Sequence, residues 1–342
     1  MIRTKTTLVV GAGASCELQF PDGKDLLARI AAGFDSQRLG GGLESPDIVA
    51  MAAHIETIAK QARVKKQLLQ EAGQIIRSAS RISSSIDAIL EQHGDNPLVL
   101  AVGKLAIAHY TLDAEAKCPM GPEPRDPGDL PVRGTENWLF QLSHAIVNGV
   151  PRAKADQCFD NLSIINFNYD RTVEHYLPWA LHMAFGMSLT EARALVAEKL
   201  RIIHAYGTPG RLDWQTGDRA VAAWGETSPD DLAAVVEQIR TASERDAERG
   251  FKRQLLGEVV HGKRLVFLGF GFEPMNCAML FDAPFEQNAD VLITMHGASE
   301  TERSAVLRLL KRQAGIKDES TVMIENLRAW QLMRDYAPFL ES

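Results

Sequence analysis

Cysteine is scarce in this chain: four in 342 residues, Cys16, Cys118, Cys158 and Cys277, with no CxxC pair among them. That excludes a zinc ribbon of the usual spacing and gives no disulfide framework, so a reducing cytoplasm is expected. No run approaches the roughly 18 apolar residues of a membrane-spanning helix. The apolar stretch behind Arg3 and Lys5 is likewise too short for a secretory leader. Positive charge is not in excess, since 37 basic residues against 44 acidic ones leave a net charge of -7. A basic nucleic-acid surface is therefore not expected. The local cluster Lys60, Arg63, Lys65 and Lys66 reads as a solvated helix face. Internal repeats and low-complexity tracts are absent as well.

What is present is an ordinary globular composition, 45% apolar and 24% charged, in a chain long enough for two average domains or one large domain with an insertion. Strand-like runs fall at Thr6–Val10, Leu162–Phe167, Leu200–His204, Arg264–Leu268, Val291–Met295 and Thr321–Ile324. Because about six strands alternate with helical patterns, the expected fold is α/β: a Rossmann-like parallel sheet with helices on both faces.

Residues 40–134 interrupt that alternation and read as a helical insertion with a Pro-rich linker inside one domain spanning 1–342. A loop at Gly40-Gly41-Gly42 precedes a helix capped by Ser45 and opened by Pro46, with Ile48, Met51, Ala52, Ile55, Ile58, Ala59 and Ala62 on one face. A second helix is expected over Gln67–Gln92, burying Ile75, Ile76, Ala79, Ile82, Ile86, Ile89 and Leu90. A third spans Pro97–Leu112. The stretch Cys118–Gly134 is a loop, and Trp138–Val147 is helical. Further on, Ser228-Pro229-Asp230 opens a helix, Ser299 and Glu302 form a capping box, and a last helix covers Leu327–Leu340.

The residues that carry chemistry sit at strand ends, where open α/β sheets hold their ligands. Strand one runs into Gly11-Ala12-Gly13-Ala14-Ser15, followed by Pro21-Asp22-Gly23. Two readings stay open for this loop: a dinucleotide cradle, or a structural turn, because Cys16 stands where GxGxxG needs its third glycine. Strand two ends in Asn166-Phe167-Asn168-Tyr169-Asp170, where Asn168 and Asp170 either face a ligand or cap the next helix. Strand three ends in His204-Ala205-Tyr206-Gly207, and strand four in Gly269-Phe270-Gly271-Phe272.

In that order, these four segments resemble the sirtuin (SIR2-like) fold, and most closely the bacterial SIR2-like proteins. The resemblance implies an NAD nucleosidase that cleaves NAD to nicotinamide and ADP-ribose, a regulated effector of the kind found in anti-phage defence. It places the pyrophosphate at Gly11, Ala12, Gly13 and Ser15 with Pro21, Asp22 and Gly23, and the adenosine end near Gly269, Gly271 and Phe272. Asn168 matches the asparagine beside the nicotinamide ribose, and Asp170 closes that motif. NAD is then a substrate, no metal takes part, and neither nucleic acid nor membrane is a partner. A homo-oligomer or a regulatory partner protein is expected to restrain an enzyme that consumes NAD.

Two departures bear on the chemistry. The family's catalytic histidine directly precedes a glycine, yet Tyr206 precedes Gly207 here, so either His204 acts from a shifted position or Tyr206 stands in its place. His204 is preferred, because a phenol with an ordinary pKa near 10 is a poor base. The zinc-ribbon cysteines that accompany protein deacylation are missing, and Gly23 replaces an aromatic shield, which together favour hydrolysis. The alternative is a catalytically weak module that binds NAD or a related nucleotide and signals to a partner.

Overall fold

The computed structural model describes residues 1–35, 46–124, 129–282 and 289–342. The Gly40–Gly42 loop, the Ser45 cap and part of the Cys118–Gly134 linker lie outside the described residues. The chain divides into two compact units. One comprises Met1–Gln19, Pro119–Ala205 and Glu248–Ser342; the other comprises Phe20–Cys118 and Tyr206–Ala247.

The first unit holds a six-stranded, all-parallel sheet among its described residues: β1 (Thr6–Val10), β2 (Leu162–Asn166), β3 (Arg201–His204), β4 (Arg264–Leu268), β5 (Asp290–Thr294) and β6 (Val322–Glu325). Their spatial order is β3-β2-β1-β4-β5-β6. β1, β2 and β4 are buried at every residue, as apolar runs covered on both faces must be, whereas the edge strands β3 and β6 are only partly covered. The helices Thr172–Phe185 and Leu189–Lys199 connect β2 to β3, Pro274–Leu280 follows β4, and Glu300–Leu309 follows β5, as parallel pairing requires of crossover connections. The strand order reverses between β1 and β4, which opens a crevice at their carboxyl ends. The Ser299–Glu302 capping box forms as read, and this helical stretch ends at Gly315 in the left-handed conformation.

The second unit is helical. Its longest element, Pro97–Lys117, is capped by Asn96 and runs five residues beyond the expected end at Leu112. Pro46–Ala62 buries Ile48, Met51, Ile55, Ile58 and Ala59, but Ala62 is exposed and His54 is buried in its place. The long helix expected over Gln67–Gln92 is two, Lys66–Ala79 and Ile86–Gln92, because Ser85 caps the second through Ala88 N. Ile75, on the outer side of the first of these helices, and Ile82, in the break at 94% exposure, are both exposed, and Leu69 and Ala72 join Ile76 on the buried face. The helix expected from Ser228 is short, Leu232–Val236, and Asp231 caps it. The terminal helix is also divided, into Ala329–Asp335 and Ala337–Leu340.

Candidate functional site

The carboxyl edge of the sheet is built from two glycine turns that face each other. Gly11 N donates to Leu268 O at 2.9 Å and Gly13 N to Gly269 O at 3.0 Å. A Cβ on Gly11 would stand 2.6 Å from Gly269 O, and one on Gly269, whose φ is +59°, would stand 2.1 Å from Ala14 N. The glycines thus permit a close approach of backbone to backbone, and the amides of Gly11 and Gly13 are committed to β4. Beyond β1 the loop is not a free turn but a helical one, Ala12–Ser15, with Ala12 half-buried and Gly13 exposed. Glu17 follows and ties the loop down, accepting from Trp138 N and Trp330 N at 3.0 Å each. Burial pushes its carboxyl up to about 7.

A buried polar chain joins the ends of β1 and β2. Asn168 Nδ2 donates to Gly11 O at 3.0 Å and to Ser15 Oγ at 2.8 Å. Ser15 Oγ donates in turn to Asp170 Oδ2 at 2.7 Å, and Asp170 Oδ1 accepts from Thr172 N and Oγ1 at 3.2 and 2.6 Å. Asp170 is not the N-cap, which is Arg171, but its carboxyl binds the first helical residue and also reaches the first loop. Burial pushes its carboxyl up from the ordinary range, against these donated bonds.

At β3, His204 pairs in register with Asn166, so their side chains share one face of the sheet. His204 Nε2 lies 2.6 Å from Oε1 of Glu174, with both side chains about nine-tenths buried. Burial opposes the charge on Glu174, yet the imidazole beside it holds the carboxyl below its usual range. Sequence reasoning missed Glu174. Its signal was an acidic residue in the first turn of an otherwise apolar helix, and its partner stands 30 residues away.

The sheet unit thus brings together Gly11, Ala12, Gly13, Ser15, Asn168, Asp170, His204 and Gly269 along neighbouring strand ends. No protein-family model and no curated protein matches the chain. Gly271 is exposed, and Phe272, at a left-handed φ of +52°, packs its ring on Phe267 and Phe270 at centroid distances of 5.3 and 5.0 Å.

The remaining residues singled out belong to the helical unit. Asp22 caps Gly23–Gly33, its Oδ1 accepting from Lys24 N and Asp25 N at 2.9 and 2.8 Å, and Pro21 leads into that cap. Gly23 has open space where a side chain would stand. Tyr206 is buried, and burial together with Asp87, Glu91 and Asp246 pushes its phenol above the ordinary range. The extended conformation that would carry it onto the His204 face stops at His204. Gly207, at φ +77°, is fixed by Gln238 O, 2.1 Å from where a Cβ would be, so its glycine is required by local packing. Among the described residues no cluster of three or more His, Cys, Asp or Glu is placed to hold a metal ion, and no helix is long and apolar enough to cross a membrane.

Proposed function

We propose that this chain is a SIR2-like NAD glycohydrolase that converts NAD and water to nicotinamide and ADP-ribose, a regulated effector of the anti-phage type. The observation that carries the reading is the meeting of Asn168, Ser15 and Asp170 in one hydrogen-bonded chain at the carboxyl ends of β1 and β2, with the His204–Glu174 pair at the neighbouring β3 end of a 3-2-1-4-5-6 sheet.

The charge at these strand ends supports it too. Glu174, in the first turn of the helix after β2, is held below the usual carboxylate range, which suits a cationic nicotinamide ribose better than a phosphate. When the C1′–N bond breaks, nicotinamide leaves a pyridinium as a neutral molecule and needs no proton. The ribose carries the positive charge, and water adds to C1′ as its proton passes to His204 and then to solvent. Asn168 orients the ribose, and the exposed side of the Gly11–Ser15 loop is left for the pyrophosphate. Tyr206, whose phenol holds its proton tightly, is assigned no base role.

The test is nicotinamide release by the full-length protein. Asn168→Ala and His204→Ala are expected to lower it at least about 100-fold, and Tyr206→Phe to leave it within about twofold. Undiminished release in the Asn168 and His204 variants overturns the assignment. NAD binding without turnover in the wild type selects the signalling module, a reading favoured by the committed amides of Gly11 and Gly13.

A further inference from the structure

We infer that Thr294, at the end of β5, is a positioning residue: its hydroxyl sets the Gly269 turn, and through it the Gly11–Ser15 loop, for the adenosine and pyrophosphate part of a dinucleotide. The inference rests on the glycohydrolase reading of these strand ends.

β4 and β5 pair in parallel register as far as Phe267 and Ile293. Beyond that point a side chain takes over from the ladder. Gly269 N donates to Thr294 Oγ1 at 2.7 Å, and the same hydroxyl donates to Phe267 O at 3.3 Å. A threonine hydroxyl has one proton to give and lone pairs to accept with, so this one serves two main-chain groups at once. It does so while buried, at 4% exposure, which makes it a support for the turn and not a ligand contact. With its N–H held by β5, Gly269 at φ +59° directs its carbonyl at Gly13 N, 3.0 Å away. Two residues on, Ser15 accepts from Asn168. One succession of hydrogen bonds therefore crosses the ends of β5, β4, β1 and β2.

The two halves of this succession serve different parts of the substrate. Asn168 is held by Gly11 O and Ser15 Oγ, and Ser15 by Asp170, through bonds that do not involve Gly269. Thr294 and Gly269 set the β4 side, where the reading places the adenosine and pyrophosphate. That part of the dinucleotide does not change as the C1′–N bond breaks, so it is bound alike in the ground and transition states. Losing a support for such binding raises KM and leaves kcat in place.

The experiment sets Thr294→Val, which keeps the β-branched shape without the hydroxyl, against Thr294→Ser, which keeps the hydroxyl, in the full-length protein. Steady-state nicotinamide release, calorimetric binding of ADP-ribose, product inhibition by nicotinamide and hydrogen exchange at the Gly269 amide are read together. In Thr294→Val, KM for NAD and Kd for ADP-ribose should both rise about tenfold, with kcat and the inhibition by nicotinamide within about twofold. Exchange at Gly269 should quicken in the same variant. Thr294→Ser should stay near the wild type in every readout. An unprotected Gly269 amide in the wild type overturns the proposal and needs no variant to fold. Unchanged KM and Kd in Thr294→Val, a fall in kcat as large as the loss of affinity, or a Thr294→Ser protein as damaged as Thr294→Val overturns it as well. A wild type that neither binds ADP-ribose nor releases nicotinamide overturns the glycohydrolase reading instead, and faster Gly269 exchange in Thr294→Val then still upholds the hydrogen bond.

Discussion

Ser15 is the residue on which the first two strand ends depend, since its hydroxyl accepts from Asn168 and donates to Asp170 in one buried chain. An alanine there removes both bonds and leaves an amide N–H and a carboxylate oxygen without that partner. Leaving a buried polar group unsatisfied costs about 1–3 kcal/mol, more than a hydrogen bond contributes net. Ser15→Ala is accordingly expected to lower unfolding stability by about 2 kcal/mol in a denaturant titration. On the proposed function it should also slow nicotinamide release, because Asn168 is no longer held from that side. A stability change below about 0.5 kcal/mol would show that water replaces the hydroxyl and that the chain is not what aligns the loop. Cys16 beside it is exposed, whereas Cys158 and Cys277 are buried thiols that burial pushes up to about 12. Packing explains the latter two, and neither is a nucleophile at neutral pH.

The two glycine turns act at the scale of the element, because each exists to let another strand end approach. Gly269→Ala places a methyl 2.1 Å from Ala14 N at a φ of +59°, so the β1 and β4 ends must separate. A loss of at least about 2 kcal/mol is expected, read as a lowered Tm. Gly23→Ala is the control: with open space around it at the first position of a helix, it should be neutral or stabilise by up to about 1 kcal/mol. Equal losses in the two variants would mean that backbone entropy, not collision, sets the cost.

These elements also show which parts of the sequence were legible. β1 and β4 were bounded to the residue, since each is a β-branched or apolar run, behind Arg264 in β4, stopped by a glycine. The break at Ser80–Ser85 was not, because Ile75 and Ile82 extend the apolar spacing although both point to solvent. Tyr206–Ala247 could not be joined to the earlier helices from periodicity, for that joining is tertiary: Leu112 packs with Ala222 and Val235. At the candidate site, Asn168, Asp170 and His204 were singled out by their position at strand ends, and the structure places them at the neighbouring ends of β2 and β3. Glu174 escaped because its meaning lies in a contact across 30 residues.

At the scale of the whole molecule, the two units answer acid in opposite senses. In the helical unit, buried His54 and His109 hydrogen-bond each other at 3.2 Å, and burial lowers both, His54 to about 4. An unfolded histidine takes up a proton near 6.5 that the folded one refuses. The unit's stability is thus fully present above that pH and is lost as pH falls towards the folded value. In the sheet unit, Glu17 is raised from 4.5 to about 7, and Asp170 is raised as well. There the folded state keeps protons that the unfolded chain gives up, so that contribution is full below 4.5 and is lost as pH rises through 7. Between about pH 7 and pH 5, each effect amounts to about 2 kcal/mol. Hydrogen exchange read segment by segment, and corrected for the intrinsic rate, should show Pro97–Lys117 losing protection on acidification while β1 and β2 gain it. His54→Gln should flatten the first response and Glu17→Gln the second, each without altering the other. Loss of protection in both units together would mean that they open as one, and that no single buried group controls the acid response of its own unit.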